Sequence, residues 1–495
     1  MENSVRYVGL KGCVIIGLAS TLGPEIFILT GIGAEMSGPA VLLAFLITFF
    51  LATIIALCYS EVVAAIPESG GGYTFIREAL SGISPFLSGW IIWFGNIVYA
   101  ALCALGFAFV LTELIPVSAP VVASTVLVLF SVLIYFGLTG YEKLQGYFVA
   151  IMLLILGGFL VLTVSHIDLG QMKDFMPHGP ISLLATSALL FSMFIGFEDI
   201  CSIASFVKEP EKNLPRAMLI TLVSALVIYL SLTLITITTI PLEKVFESNV
   251  PMVTIATEHI GTLGKYALIL AGMLATLTSV GVAMLAATMN VYALSRDGYF
   301  PKAFFRLHEK HKSPVAAIAL SMIIAVAFAG TGIVQLVAYL SDFAYFLGVA
   351  LVMYALIKLR KTRPTMKRPF KVPLFPYLPW FGIFMSVFLL IFIHTTSLII
   401  GSIWLVFGLI AFYAHSVGFR RFKIALGGMN VFLSVVCMLL LKHMGSEIMI
   451  LETKIGVPLY YLMIGFVFTS AVGGLLLLKK QKKAGQDQDK TQNSD

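Results

Sequence analysis

Four acidic side chains stand inside long apolar stretches of this sequence, and two of them close the same kind of triplet. Gly23-Pro24-Glu25 interrupts VIIGLASTLGPEIFILTGIGA, and Gly196-Phe197-Glu198, followed at once by Asp199, interrupts LLATSALLFSMFIGFEDICSIASFV. Asp342 is the fourth. Pro24 has no N–H and clashes with the preceding turn, while glycine tolerates backbone angles that other residues avoid, so a helix through either triplet breaks there. A broken helix frees backbone groups and exposes the ends of its dipoles. Freed N–H groups suit an anionic part of a ligand, and freed carbonyls suit a cation. The acids have no Lys or Arg in the same stretches, so they must be protonated, matched by a mobile cation or satisfied by protein groups.

The elements that position these residues are membrane spans. The chain has 495 residues, of which 59% are apolar and 12% charged, and its mean hydropathy is +0.99. A soluble protein of this length needs far more charge on its surface. Apolar runs of about 20 residues, each long enough to cross a bilayer, recur at 10–34, 38–65, 82–112, 118–138, 145–165, 181–206, 216–240, 264–293, 314–333, 334–357, 373–394, 397–415, 422–441 and 456–478. The first run is too long for the apolar core of a signal peptide and is expected to remain as a span.

Basic residues orient these fourteen spans. With the N-terminus inside, the inner segments hold 27 of the 32 Lys and Arg residues. The outer segments hold Lys173, Lys244, Lys265, Lys442 and Lys454. This inward bias predicts a cell-membrane protein with both termini cytoplasmic. It also explains the net charge of +7 without a nucleic-acid partner. The polar segment 479–495 reads as a disordered cytoplasmic tail.

Other chemistries find little support. The cysteines Cys13, Cys58, Cys103, Cys201 and Cys437 are scattered, form no CxxC pair and read as small apolar packing residues. The eight histidines lack HExxH-type spacing. No metal site is expected, and no nucleophile–base constellation marks an enzyme. Glu61 and Glu113, near span ends, read as interfacial.

Spans 1 and 6 are five apart, and paired interruptions in corresponding spans point to the binding site of a transporter built from inverted repeats. Several motifs around them resemble the amino acid–polyamine–organocation (APC) superfamily of permeases. They are GPEIFILTGIGAEMSGPA (23–40), ALCYSEVVAAIPESGGGYTFIREAL (56–80), GFEDICSIASFVKEPEKNLPRAM (196–218), ALSRDGYFPKAF (293–304) and LRKTRPTMKRPFKVPLFPYLP (359–379). The last is most similar to cationic amino acid transporters and their prokaryotic relatives, as is the count of fourteen spans.

The resemblance implies an all-α integral membrane fold of LeuT type. It would have a first five-helix repeat over 1–166, a second, inverted one over 181–358, and four accessory spans over 373–478, with spans 1 and 6 discontinuous. It implies a substrate site at Thr21, Leu22, Gly23, Pro24, Glu25 and Ile26, with Phe194, Ile195, Gly196, Phe197 and Glu198. It also implies a sodium site at Thr278 and Ser279, completed by carbonyls near Ala19 and Leu22. Glu25, Glu198, Asp199 and Asp342 remain candidates for ion coupling. The sequence departs from the family where a glycine is expected and Glu25 stands, beside Pro24. That change removes an amide donor and places a negative charge where a carboxylate would bind. The acidic pair that the family commonly carries near the end of span 6 is Ser205-Phe206 here, and span 5 carries no lysine over 144–164.

The expected function is secondary transport of an amino acid, cationic or otherwise, coupled to H⁺ or Na⁺ or working by exchange, with no cofactor. A polyamine or K⁺ transporter on the same scaffold is the alternative, and a non-transporting nutrient sensor is a third reading.

Overall fold

The computed structural model describes residues 8–67, 71–137 and 141–417. The expected spans 422–441 and 456–478 and the tail 479–495 lie outside the described residues. Among the described residues the regular structure is helical, and the extended pairing is a bridge between Val8 and Val207.

The first apolar run is two helices, α1 (Leu10–Thr21) and α2 (Glu25–Ser37). Leu22 N–H closes the end of α1 on the Leu18 carbonyl at 2.8 Å, and Phe27 N–H opens α2 on the Pro24 carbonyl at 3.1 Å. Leu22, Gly23 and Pro24 form the gap, as the missing proline donor requires. Then follow α3 (Val41–Ala65), α4 (Gly71–Ala79), α5 (Ser84–Thr112), α6 (Ala119–Phe136) and α7 (Tyr141–Thr163).

The second interruption is different in kind. Helix α8 (Gly179–Leu189) tightens into 3-10 turns over Leu190–Phe194, breaks at Ile195 and Gly196, and resumes as 3-10 turns over Phe197–Phe206. Gly196 has φ of +115°, which L side chains rarely adopt. A Cβ there would also stand 2.5 Å from the Ser20 carbonyl oxygen. The two breaks therefore touch, and only glycine allows the contact.

The chain continues through α9 (Pro210–Thr239), the short α10 (Leu242–Glu247) and α11 (Pro251–His259), and the long α12 (Thr262–Arg296). The last helices among the described residues are α13 (Val315–Ala329), α14 (Val334–Thr362), α15 (Tyr377–Leu390) and α16 (Thr395–Val417). Nine helical stretches among the described residues are long and apolar enough to cross a membrane, with Leu10–Thr21, Val315–Ala329 and Tyr377–Leu390 as shorter apolar helices. Helices α4, α10 and α11 lie in segments that the hydropathy pattern reads only as connections. Each buries apolar side chains on the bundle, as α4 does with Tyr73, Phe75 and Ile76.

Helices α5, α12 and α14 and the stretch Gly179–Cys201 are the most enclosed of the candidate spans among the described residues. Helices α6 and α7 carry exposed apolar side chains such as Val121, Leu129, Leu154 and Val161. A face of that kind is stable against lipid and not against water.

Candidate functional site

The last turn of α1 and the second break border one cavity of about 280 Å³. Its polar wall includes Ser20 from the end of α1, Glu198 and Asp199 from the second break, Tyr59 from α3, and Asn96 and Tyr99 from α5. Ser279, Asn290 and Tyr292 from α12 and Ser341 and Tyr345 from α14 also line it. At one end it reaches Gly71–Thr74 of α4 and Arg296, the last residue of α12. Arg296 Nε lies 3.4 Å from Asp297, and its side chain is half exposed. The wall therefore carries two acids and one base, Arg296, which already lies beside an acid.

The acids are held by their own backbone and by neighbours from distant helices. Glu198 Oε2 accepts the Gly196 N–H at 3.1 Å. Tyr345 adjoins Glu198, and Ser20 adjoins Asp199. Tyr99 donates its hydroxyl to the Ser20 carbonyl at 3.4 Å. Tyr229 of α9 reaches both interruptions, with its hydroxyl 2.7 Å from the Thr21 carbonyl and 2.6 Å from that of Met193. One hydroxyl proton thus serves two carbonyls freed by two broken helices.

Of the residues expected at the site, Ile195, Glu198, Asp199 and Ser279 line the cavity. Thr21, Leu22, Gly23, Pro24, Glu25, Ile26, Gly196 and Phe197 form none of its wall. Neither do Ala19, Thr278 and Asp342. Phe194 packs instead on Phe45 and Tyr229, with ring centroids 6.4 and 5.3 Å away.

Glu25 is buried and faces α5, where the Cys103 thiol donates to Oε1 at 3.1 Å. Cys103 is thus more than the packing residue its isolation in the sequence suggests. Asp342 is buried, and neither of its oxygens has a hydrogen-bond partner among the described residues. Thr278 and Ser279 both donate back to the Ala275 carbonyl, at 2.7 and 3.1 Å, as hydroxyls in membrane helices commonly do. Gln145 of α7 donates to the Thr278 carbonyl at 3.3 Å. Sequence reasoning missed Tyr59, Asn96, Tyr99, Tyr229, Asn290 and Tyr345. Polar side chains in the middle of apolar runs, Asn96 and Asn290 above all, were the signal available.

The amino acid permease family model matches residues 12–435. The chain belongs to the amino acid permease family. It is thereby a multi-pass membrane protein of the APC superfamily, a family of transporters. Branched-chain amino acid permease BcaP of Bacillus subtilis is 26% identical, over 83% of this chain and 93% of its own length. The methylthioribose transporter of the same organism is 24% identical, over 84% and 94%. Cationic amino acid transporter 4, vacuolar, of Arabidopsis thaliana is 24% identical, over 64% and 57%.

Two polar clusters fasten the helices of this permease, the first of them including the cavity residue Tyr73. Tyr73 donates to Asp297 at 2.7 Å and Arg77 reaches it at 3.2 Å, tying α4 to the end of α12. Burial alone would raise the Asp297 pKa, but these two hydrogen bonds and the Arg77 charge hold it below the usual aspartate value. In the second cluster Glu61 of α3, which sequence position suggests is interfacial, is buried. It accepts from Arg360 Nε at 2.7 Å and from the Val372 N–H at 2.7 Å, with Arg368 at 3.5 Å. Arg360 stacks over Phe375 at 3.8 Å. A carboxylate between two guanidiniums and an amide needs no water to satisfy it.

Proposed function

We propose that this permease is a secondary active transporter that carries an ammonium-bearing solute through the cavity beside the end of α1 and the second break. The observation that carries the reading is the pair of acids, Glu198 and Asp199, in a wall whose one base, Arg296, already lies beside Asp297 and whose other groups are hydroxyl, amide and apolar. An ammonium group satisfies such acids, and hydroxyl and carbonyl groups complete its shell. The first solute class is an amino acid, with a cationic one the best match to the acids. The relatives are named for branched-chain amino acids, methylthioribose and cationic amino acids, so family membership leaves the solute open.

The scaffold in this reading is of LeuT type. Residues 1–166 and 181–358 are its inverted repeats, and 373–478 are its accessory spans. The interruptions of the first and sixth spans support it, as does their contact at Gly196 and Ser20. Alternating access rocks spans 1, 2, 6 and 7 against the rest. The inward bias of Lys and Arg supports cytoplasmic termini in a cell-membrane protein.

Transport is driven by H⁺, by Na⁺ or by exchange. Asp342, buried and without a hydrogen-bond partner among the described residues, is a site for a proton, as are Glu25, Glu198 and Asp199. The lone pairs of Thr278 and Ser279, with the carbonyls of Ala19 and Leu22, are the site for Na⁺. A polyamine or K⁺ transporter is the second reading, favoured by Glu25 at the first break.

Uptake of labelled lysine, leucine, putrescine and K⁺ by proteoliposomes tests the proposal. Saturable uptake of an ammonium-bearing solute is expected. Uptake of putrescine or K⁺ without uptake of either amino acid would favour the second reading, and no uptake of any probe would contradict both.

A further inference from the structure

Positions 358–371 hold seven basic residues, and the chain has no Asp or Glu between Asp342 and Glu447. The seven divide by type. The three arginines face acids of the protein, with Arg360 and Arg368 on Glu61 and Arg363 on Glu78. The four lysines, Lys358, Lys361, Lys367 and Lys371, are exposed. None of them has an ion pair among the described residues. Two carboxylates thus meet three guanidiniums, and the ammonium groups add to the excess. Positive charge of this kind attracts an anion from outside the protein.

The aromatic side chains next to this segment set its place at the membrane. Helix α15 opens at Tyr377, six residues after Lys371. Tyr377, Trp380, Phe381 and Phe384 share one helical face by their spacing, and all four are exposed. Lipid covers a face of that kind, and Tyr and Trp settle at the level of the headgroups. Trp380 lies against Tyr354 of α14, with ring centroids 6.3 Å apart, and Phe381 against Phe50 of α3 at 6.2 Å. Lys358 and Lys361 follow Tyr354 at positions i+4 and i+7, on the same edge of α14. Where α14 meets α15, rings therefore give way to ammonium groups as the helices reach their connecting segment.

From this we infer that the seam of α14 and α15 binds an anionic phospholipid. The lysines receive its phosphate, and the exposed rings of Trp380 and Phe381 receive its acyl chains. Each lysine at an anionic headgroup is worth about a fivefold factor in affinity. A zwitterionic lipid brings an ammonium group of its own and gains little of this. Free phosphate has the charge but nothing for the aromatic face. None of these residues lines the solute cavity, so the lipid site is independent of the solute carried.

Quenching of tryptophan fluorescence by brominated lipids tests the inference, because Trp380 is half exposed while Trp90 and Trp93 are buried. Full-length permease in phosphatidylcholine vesicles should bind brominated phosphatidylglycerol about tenfold or more in preference to brominated phosphatidylcholine. Trp380→Phe should remove the excess quenching. Glutamine at all four lysines should abolish the preference, and arginine at all four should keep it. Glutamine at Lys302, Lys310 and Lys312, exposed lysines of the segment before α13, should leave it unchanged. In detergent, phosphatidylglycerol should raise the midpoint of denaturation and equimolar inorganic phosphate should not. No preference in wild type, excess quenching that survives Trp380→Phe, a preference that survives in the four-glutamine variant or an equal loss in the Lys302 variant overturns the inference. An equal rise with inorganic phosphate alone overturns lipid as the occupant.

Discussion

The carboxylate of Glu25 occupies the space beside Gly23 where any other residue would carry its Cβ. Gly23 is therefore tied to Glu25 and not to a special backbone angle, whereas Gly196 needs both its φ of +115° and its closeness to Ser20. Gly196→Ala should cost roughly 2–5 kcal/mol, from the strained angle and the overlap with backbone. Gly23→Ala should cost less, about 1–3 kcal/mol, because a side chain can move where a backbone cannot. Glu25→Gly should suppress the Gly23→Ala defect and leave that of Gly196→Ala unchanged. Thermal denaturation of the single and double variants in detergent measures both effects, and equal costs at the two glycines would refute the distinction.

Tyr229 joins the interruptions through one hydroxyl shared by Thr21 and Met193. Tyr229→Phe keeps the ring packing on Phe45 and Phe194 and leaves the Met193 carbonyl without that donor. The expected loss is about 1–3 kcal/mol, accompanied by slower transport because both breaks lose their common anchor. A variant as stable and as active as wild type would show that the hydroxyl does not couple them.

Glu61 is enclosed by Arg360, Arg368 and the Val372 amide. Removing its charge leaves two guanidiniums facing one another. Glu61→Gln should lower stability by about 3–5 kcal/mol, read as a drop in the midpoint of denaturation. Arg360→Lys should restore little, since lysine lacks the forked geometry and the stacking on Phe375.

The Asp297 contacts make stability depend on pH in a known direction. Its folded pKa is below the unfolded value. Its contribution is complete above the ordinary aspartate pKa of about 3.9 and is lost as pH falls through the lower, folded value. Melting of wild type should steepen its decline below about pH 4 relative to Asp297→Asn, which lacks that titration. Parallel pH curves would remove Asp297 from the account.

Much of this architecture is legible in the chain because bilayer thickness dictates run length and because Pro24 and Gly196 break helices by local chemistry. The arrangement of the site is less legible, and the reason is distance along the chain. Tyr229 meets Thr21 across 208 positions, and Glu61 meets Arg360 across 299. No local pattern marks such meetings. Near a span end Glu61 resembles an interfacial acid until its two arginines are seen to cover it. Glu25 invites a reading as a cavity acid because it sits at a break. Its direction around the helix is decided by the room above Gly23 and by the Cys103 thiol, which only packing reveals. The helix α4 escapes a hydropathy reading because its apolar side chains are few and face inward.

The most direct measurement is equilibrium binding of labelled lysine and cadaverine to purified permease, wild type against the Glu198→Gln, Asp199→Asn double variant. The account predicts saturable binding of at least one probe by wild type. It predicts a loss of about tenfold or more in the double variant, with the protein still folded by its melting profile. Binding of equal strength in both proteins would contradict the claim that these two acids receive the solute.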